Sequence, residues 1–352
     1  MPVNLMPLVS DFQKRLQKQR ITIGVIGDVI EDIFENYRYE RQSSEDPSTP
    51  VFVQENVNKY PGGAGNLAVN IRGIGGNVSL VSVTGSDVRS DDLLGVLAAN
   101  EINTTFVQDV SRPTTIKRRI VSDNRGDSER RLKFTLARES RKPISDEIAE
   151  QVRGRIDRMD VDIAVVSDYA RGMITRPVLS AVRDILIKKK GKRVLIDPHP
   201  NEKYTAEDLQ DFYLIKPNNQ EVKKLFRIPQ DCASEKFRTE LYRICRELKT
   251  RILVTKSERG MTLYEINETG EETKFKFPSL ADAAKVVSVS GAGDTVMAVL
   301  VCALAVKMDI TDAIRIASVG AAIVIAREGT AVLRMNELCE FALKYDKSIQ
   351  GD

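Results

Sequence analysis

The chain has 352 residues, of which 42% are hydrophobic and 29% are charged, and its formal net charge at pH 7 is +3. This composition is that of a globular protein with a sizeable core, and so small a net charge gives no sign of a nucleic-acid partner. A single histidine and four cysteines without paired spacing argue against a histidine-rich or zinc-finger metal site.

The first twenty residues lack a secretory signal and predict a short amphipathic helix. The longest uncharged apolar run, 296–306, is too short to span a bilayer, so we expect a cytoplasmic protein with no membrane partner.

Residues 21–26 (ITIGVI) predict a buried strand. Ligands of open α/β sheets bind beyond the carboxyl ends of the strands, which makes Asp28 and Asp32 candidate substrate ligands. The alternative is a polar turn.

Residues 37–60 are polar and charged and do not fit a layered α/β core. Residues 114–136 alternate apolar and basic side chains around DNRGD and predict a β-hairpin. We expect segments 37–60 and 105–138 to form a small β-sheet lid over the substrate crevice. On its basic face, Arg118 and Arg131 are candidate ligands for an anionic group of the substrate. The alternative is a solvated strand face.

Two glycine-rich segments precede predicted helices. In PGGAGN, Gly62 and Gly63 come before a helix whose first turn holds Asn66, which could hydrogen-bond a polyol; close helix packing is the alternative role for the glycines. Residues 286–289 predict a buried strand, Gly-Ala-Gly breaks it, and a helix follows near Asp294. Such a turn at a helix N-terminus binds anions.

The carboxylate of Asp294 lies beside the place where a phosphate would be held, so it could accept a proton from an attacking hydroxyl. Its alternative role is that of a helix cap.

From about residue 144 the sequence alternates regularly between predicted strands and helices. This pattern indicates a doubly wound, mainly parallel sheet with helices on both faces, in an α/β fold. Several predicted strands end in polar residues that would meet at one edge: Asp168, Asp197, Asn218 and Lys256. Without repeats or low-complexity linkers, we expect residues 1–352 to form a single domain with the lid inserted.

The ordered segments GD-x3-D, PGGAGN, NNQE and GAGD resemble those of the ribokinase-like (PfkB-type) sugar kinases, over roughly residues 21–335. Within that family, GDVIEDIF, RQSSEDPSTPV, YPGGAGNLAVNI, VVSDYARG and VSVSGAGDTV are most similar to the heptose 7-phosphate kinases of bacterial lipopolysaccharide core synthesis.

The resemblance implies roles for these residues. Asp294 would be the catalytic base, and the amides of Gly291, Ala292 and Gly293 would form the anion hole. Asn218 and Glu221 would organise Mg²⁺ through water. The sugar would contact Asp32, Gly62, Gly63 and Asn66, and ATP would contact the loop of Lys256, Ser257 and Gly260. Asp28 and Asp168, at the ends of predicted strands, are further candidate substrate ligands.

Two departures from the family pattern matter. The family usually has Asp where this chain has Ser288, six residues before Asp294, so a requirement for a monovalent cation stays open. The heptose kinases commonly have Lys-Gly where this chain has His199 and Pro200.

The implied function is ATP-dependent phosphorylation of the C1 hydroxyl of D-glycero-D-manno-heptose 7-phosphate. The alternatives are a family kinase for another sugar or sugar phosphate, or a non-catalytic sugar- or nucleotide-binding paralogue. The length suggests a kinase without the adenylyltransferase domain to which it is fused in some bacteria. The exposed edge of the lid favours a homodimer.

Overall fold

A computed structural model describes residues 4–124, 127–200, 204–281, 286–288, 290–327 and 331–350, and side chains are described for these except 123–131 and 350. The strands are β1 (Thr22–Gly27), β2 (Val29–Gln42), β3 (Pro50–Gly63), β4 (Asn77–Thr84), β5 (Asn103–Gln108), β6 (Ile116–Asn124), β7 (Asp127–Arg138), β8 (Ile163–Ser167), β9 (Arg193–Asp197), β10 (Leu214–Ile215), β11 (Arg251–Thr255), β12 (Met261–Ile266) and β13 (Glu272–Phe277).

The helices are α1 (Leu5–Lys18), α2 (Ala64–Ile74), α3 (Val88–Ala99), α4 (Asp146–Asp157), α5 (Arg176–Ala181, continued as a π-helix over Val182–Lys189), α6 (Asn219–Leu225), α7 (Ser234–Leu248), α8 (Ala292–Ala305), α9 (Ile310–Val324) and α10 (Met335–Gln350). In the described part of the chain, no helix is both long enough and apolar enough to cross a membrane.

Nine of the described strands form one large sheet in the order β13-β12-β11-β10-β9-β8-β1-β4-β5. The seven strands from β11 to β5 are parallel, and β12 and β13 add an antiparallel edge. Central strands such as β8 are buried along their whole length because helices cover both faces of the sheet. The predicted doubly wound, mainly parallel α/β fold is confirmed.

One apolar core lies on each face of the large sheet. The first joins the sheet to α1, α2, α8, α9 and α10 through buried residues such as Leu67, Leu300 and Ile314. The second joins it to α4, α5 and α7 through residues such as Val152, Leu179 and Leu241. The two cores hold α2 and the loop after β8 at the carboxyl edge of the sheet, where α8 begins.

Among the described residues, four strands form a small sheet in the order β3-β2-β6-β7. The predicted β6/β7 hairpin is confirmed, although residues 125 and 126 of its turn lie outside the described part. The predicted bounds of this sheet were wrong at two places. It begins at Val29 rather than 37, because β2 continues directly from β1, and 103–108 belong to the large sheet as β5.

The predicted strand at 286–289 is also wrong in its described part, and Val289 lies outside it. Residues 286–288 form no strand, and the side chain of Val287 is 57% exposed. The segment is fixed instead by hydrogen bonds from the N–H groups of Val287 and Ser288 to the carbonyl of Ile325, at 2.8 and 3.0 Å. An apolar run alone did not distinguish a buried strand from this irregular segment.

Gly63 joins the small sheet to α2 and adopts φ +60°, a left-handed conformation that favours glycine. A Cβ at this position would lie 2.4 Å from the carbonyl oxygen of Asp28, which accepts a hydrogen bond from the N–H of Ala64 at 2.9 Å. Glycine at 63 therefore allows the chain to enter α2 against the end of β1.

We expect Gly63→Ala to destabilise the protein by about 1–3 kcal/mol, because the alanine would be strained and would clash with Asp28. Gly95→Ala is the matched control, since Gly95 lies in α3 and a Cβ there meets no atom within 4 Å. Thermal unfolding followed by circular dichroism measures both variants. A Gly63→Ala protein that melts at or above the wild-type temperature contradicts this assignment.

Candidate active site

The turn before α8 has the geometry of an anion cradle. Gly291 is the N-cap at φ +79°, and Asp294 lies in the first turn with 4% of its surface exposed. The predicted helix start is confirmed. Free N–H groups and the helix dipole favour negative charge at this point.

Both oxygens of the Asp294 carboxylate are held by neighbouring side chains. The Nδ2 of Asn66, in α2, donates to Oδ2 at 2.6 Å, and the hydroxyl of Tyr169, in the loop after β8, donates to Oδ1 at 2.6 Å. Asn66 is itself oriented, because Asn70 donates to its Oδ1 at 3.1 Å and to its carbonyl at 2.9 Å. Two segments distant in sequence, α2 and the loop after β8, thus fix one carboxylate on α8.

Burial raises the pKa of Asp294 to about 6, although the hydrogen bonds from Tyr169 and Asn66 act to lower it. The negative charge of Asp197 raises this pKa further and the positive charge of Lys216 lowers it. A carboxylate with this pKa is ionised at neutral pH and can still take up a proton, as a general base must.

A buried ion pair lies beside the cradle. The Nζ of Lys216, which is 3% exposed, lies 2.7 Å from Oδ2 of Asp197. A Cβ on Gly293 would lie 3.6 Å from that Nζ and 3.9 Å from that Oδ2. The ammonium therefore faces the backbone of the cradle. Sequence reasoning did not select Lys216, although a lysine at the end of the apolar run YLIK was a usable signal.

Asp28 supports the loop after β8. Its buried carboxylate accepts hydrogen bonds from the N–H groups of Tyr169, Arg171 and Met173, at 3.0, 3.1 and 3.1 Å. Both oxygens are used in these contacts, so Asp28 positions the loop that carries Tyr169 and is not arranged as a sugar ligand.

Asp168 is likewise engaged within the protein. It accepts hydrogen bonds from the N–H of Ala170 at 2.7 Å and from the hydroxyl of Tyr204 at 2.9 Å.

Asp32 and Gly62 lie on one face of the small sheet. The guanidinium of Arg119 binds Asp32 through Nε at 2.8 Å and Nη2 at 3.1 Å. A Cβ on Gly62 would lie 3.3 Å from the Cβ of Asp32. The pKa of Tyr169 is raised well above its usual value by burial and by Asp294, and the charge of Asp32 adds to this effect. The face that carries Asp32 is therefore the face near Asp294, which we call the crevice face.

Arg118 does not lie on the crevice face. Neighbouring residues of a strand point to opposite faces, and Arg118 forms an ion pair with Glu35, whereas Arg119 binds Asp32. The prediction that Arg118 lines the crevice is wrong because three consecutive basic residues necessarily occupy both faces of the strand. The side chain of Arg131 lies outside the described part of the structure.

Asn218 and Glu221 form a capping box at the start of α6. The Oδ1 of Asn218 accepts from the N–H of Glu221 at 2.9 Å, and Oε2 of Glu221 accepts from the N–H of Asn218 at 2.7 Å. Burial raises the pKa of Glu221, and the charge of Asp197 contributes. The carboxylates of Glu221 and Asp197 are partly buried and act on each other, an arrangement that suits a divalent cation. Among the described residues, however, no group of three or more acidic, Cys or His side chains could enclose a metal directly.

The loop after β11 lies next to this capping box. Thr255 forms a β-bridge with Asn218, and its N–H donates to the carbonyl of Pro217 at 3.0 Å. Lys256 donates to Thr262 at 3.1 Å, and Ser257 begins a single 3₁₀ turn that Gly260 ends. The fold thus brings the predicted metal and nucleotide positions together.

Ser288 lies just before the cradle. Its Oγ accepts a hydrogen bond from the N–H of Ser290 at 3.2 Å, so this hydroxyl takes part in the turn that leads to Gly291.

The family model described as pfkB family carbohydrate kinase matches residues 23–336. The bifunctional protein HldE of Bradyrhizobium sp. (strain ORS 278) is 34% identical over 330 residues, which cover 94% of this chain and 64% of that protein. The HldE of Chromohalobacter salexigens is 34% identical over 318 residues, covering 89% of this chain and 62% of the relative. The chain thus spans somewhat less than two-thirds of these relatives.

Solved structures show the same fold at low sequence identity. Phosphofructokinase-2 from Escherichia coli in complex with potassium is 15% identical with a TM-score of 0.71, covering 93% of this chain and 99% of that one. Arabidopsis thaliana ribokinase complexed with ribose and ATP is 18% identical with a TM-score of 0.63, covering 94% and 99%. The chain belongs to the pfkB family of carbohydrate kinases.

Proposed function

We propose that this kinase transfers the γ-phosphate of ATP to the C1 hydroxyl of D-glycero-D-manno-heptose 7-phosphate, giving the 1,7-bisphosphate. The similarity to HldE proteins over 94% of the chain supports this substrate. The observation that carries the catalytic part is the buried Asp294 carboxylate at the anion cradle, held at 2.6 Å by both Asn66 and Tyr169.

In this mechanism, Asp294 accepts the proton of the acceptor hydroxyl as its oxygen bonds to the γ-phosphorus and the bond to the ADP oxygen breaks. To approach the base, the hydroxyl replaces Tyr169 or Asn66 as the hydrogen-bond donor. The N–H groups of 291–293 stabilise charge on the transferred phosphoryl group, and the buried ammonium of Lys216 adds positive charge beside them.

Asn218 and Glu221 are proposed to hold Mg²⁺ through water, since their oxygens already bind backbone N–H groups and leave few direct ligands. A Mg²⁺ ion held there would neutralise charge on the phosphates of ATP. The loop of Lys256, Ser257 and Gly260 is proposed to contact the nucleotide. The two sheets form one kinase domain, with the small sheet as its lid.

Initial rates of ADP formation with heptose 7-phosphate, fructose 6-phosphate, ribose, fructose and a nucleoside, with and without potassium, test the substrate. We expect selective turnover of heptose 7-phosphate. Selective turnover of another sugar contradicts the substrate and leaves the catalytic assignment intact.

Asp294→Asn is expected to lower kcat by about 10²–10⁴-fold, because the general base is removed while the cradle remains. Affinities for ATP and sugar, measured by calorimetry, should stay close to wild type. Near-normal turnover would show that Asp294 is not the base.

Tyr169→Phe is expected to move the acid limb of the kcat/KM profile to higher pH. Wild-type activity should rise as pH increases through about 6, where Asp294 loses its proton. The Tyr169 hydrogen bond favours the ionised form, so its removal raises this pKa further. Tyr204→Phe is the control, because Tyr204 binds Asp168 instead, and its acid limb should not move. An unshifted limb in Tyr169→Phe contradicts the role of this hydroxyl.

We also propose a homodimer formed by the face of the small sheet opposite the crevice. Val57, Phe134 and Leu136 are 44%, 53% and 48% exposed there, and strand register places them on the same face as Glu35 and Arg118. A second copy of the chain would cover this apolar patch.

Phe134→Lys should convert the wild-type dimer to a monomer in sedimentation equilibrium, because a buried lysine would be desolvated in each copy. Phe275→Lys, at an exposed position in the large sheet, is the control and should leave the assembly unchanged. A monomeric wild type contradicts the dimer.

A further inference from the structure

The crevice face of the small sheet carries a lysine for which the described part of the chain supplies no partner. Lys117 in β6 pairs with Asp32 of β2 in parallel register and lies on the same face as Arg119. Arg119 binds Asp32, but no described residue forms an ion pair or hydrogen bond with the ammonium of Lys117.

The guanidinium groups of Arg171 and Arg119 act on this ammonium, although each is itself paired with a carboxylate. The pKa of Lys117 is lowered chiefly by burial and then by the positive charges of Arg171 and Arg119, an effect larger than the opposing effects of Asp32 and Glu139. Lys117 is therefore half-buried beside two guanidinium groups. A bound anion would favour the charged form of Lys117 at this position.

Arg171 approaches the same place from the large sheet. Its side chain is 11% exposed, Nη2 lies 2.9 Å from Glu139, and the buried Nε has no hydrogen-bond partner among the described residues. Its backbone is fixed, because its N–H donates to Asp28 and its carbonyl accepts from Nη1 of Arg112 at 2.9 Å. Arg171 is thus held in the loop that carries Tyr169, with one donor unused.

We propose that Lys117 and Arg171 form the subsite for the phosphate that the acceptor sugar already carries. The inference rests on the proposed function and replaces Arg118 with residues of the crevice face. A phosphate accepts charge-assisted hydrogen bonds from both groups and neutralises the repulsion between them. One ligand comes from the lid and the other from the large sheet, so a bound phosphate would join the two across the crevice.

The test compares kcat/KM for heptose 7-phosphate with kcat/KM for the same heptose without phosphate. Lys117→Met should reduce the value for the phosphorylated sugar by about 10–100-fold and that for the free sugar by less than about 3-fold. Arg118→Met is the matched control from the opposite face of the same strand, and the ratio of the two values should be unchanged. Arg171→Gln should act as Lys117→Met does, and its melting temperature reports whether it folds.

The subsite is overturned if Lys117→Met lowers kcat/KM equally for the two acceptors. It is also overturned if only Arg118→Met changes the ratio of the two kcat/KM values. If the enzyme instead turns over a different sugar phosphate, the proposed substrate fails, and the same comparison with that sugar and its phosphate still tests Lys117. A wild type that uses only unphosphorylated acceptors overturns the subsite while leaving the role of Asp294 in place.

Discussion

The site depends on one buried carboxylate being held in place at a helix N-terminus. Asp294 is 4% exposed, yet it receives two hydrogen bonds of 2.6 Å from side chains that lie far away in the sequence. Keeping an ionised carboxylate out of water is unfavourable without such donors. The packing of α2 and α8 and the loop after β8 is what supplies them. The same loop is held by Asp28, so the end of β1 controls the site indirectly.

Charge balance explains the neighbouring residues. Asp294, Asp197 and Glu221 would repel one another, and burial raises the pKa of each. Lys216 partly offsets this by pairing with Asp197 at 2.7 Å. In the protein without substrates, the pKa of Asp294 is therefore raised, to about 6, and its carboxylate still loses its proton below neutral pH. A phosphate and its cation, arriving together, would change the field acting on all four groups.

The fold could be predicted because its signals are local. Apolar runs mark the parallel strands, and glycine pairs mark the entries to α2 and α8. The register of β6 could not be predicted, since Lys117, Arg118 and Arg119 are consecutive and shifting a strand by one residue exchanges its faces. The sequence did not indicate that a strand continues from β1, because β2 contains charged residues such as Glu31 and Asp32.

Parts of the site also escaped prediction because they depend on distant contacts. Tyr169 reaches Asp294 across 125 positions of the chain, and no spacing pattern encodes that approach. Asn66 was selected as a sugar ligand, but it also holds the base, which only the packing of α2 against α8 reveals. Asn218 and Glu221 were recognisable as a pair, and their local capping geometry is typical of a helix start.

The position of the new phosphate in the product tests directly whether this kinase phosphorylates C1 of heptose 7-phosphate. ³¹P–¹H correlation NMR of the reaction with ATP and heptose 7-phosphate would locate it. We expect a new phosphorus signal coupled to the anomeric proton, alongside the unchanged monoester at C7. A phosphorus signal coupled to any other sugar proton, or no new signal while ATP remains bound, would show that the enzyme does not phosphorylate C1 of this heptose.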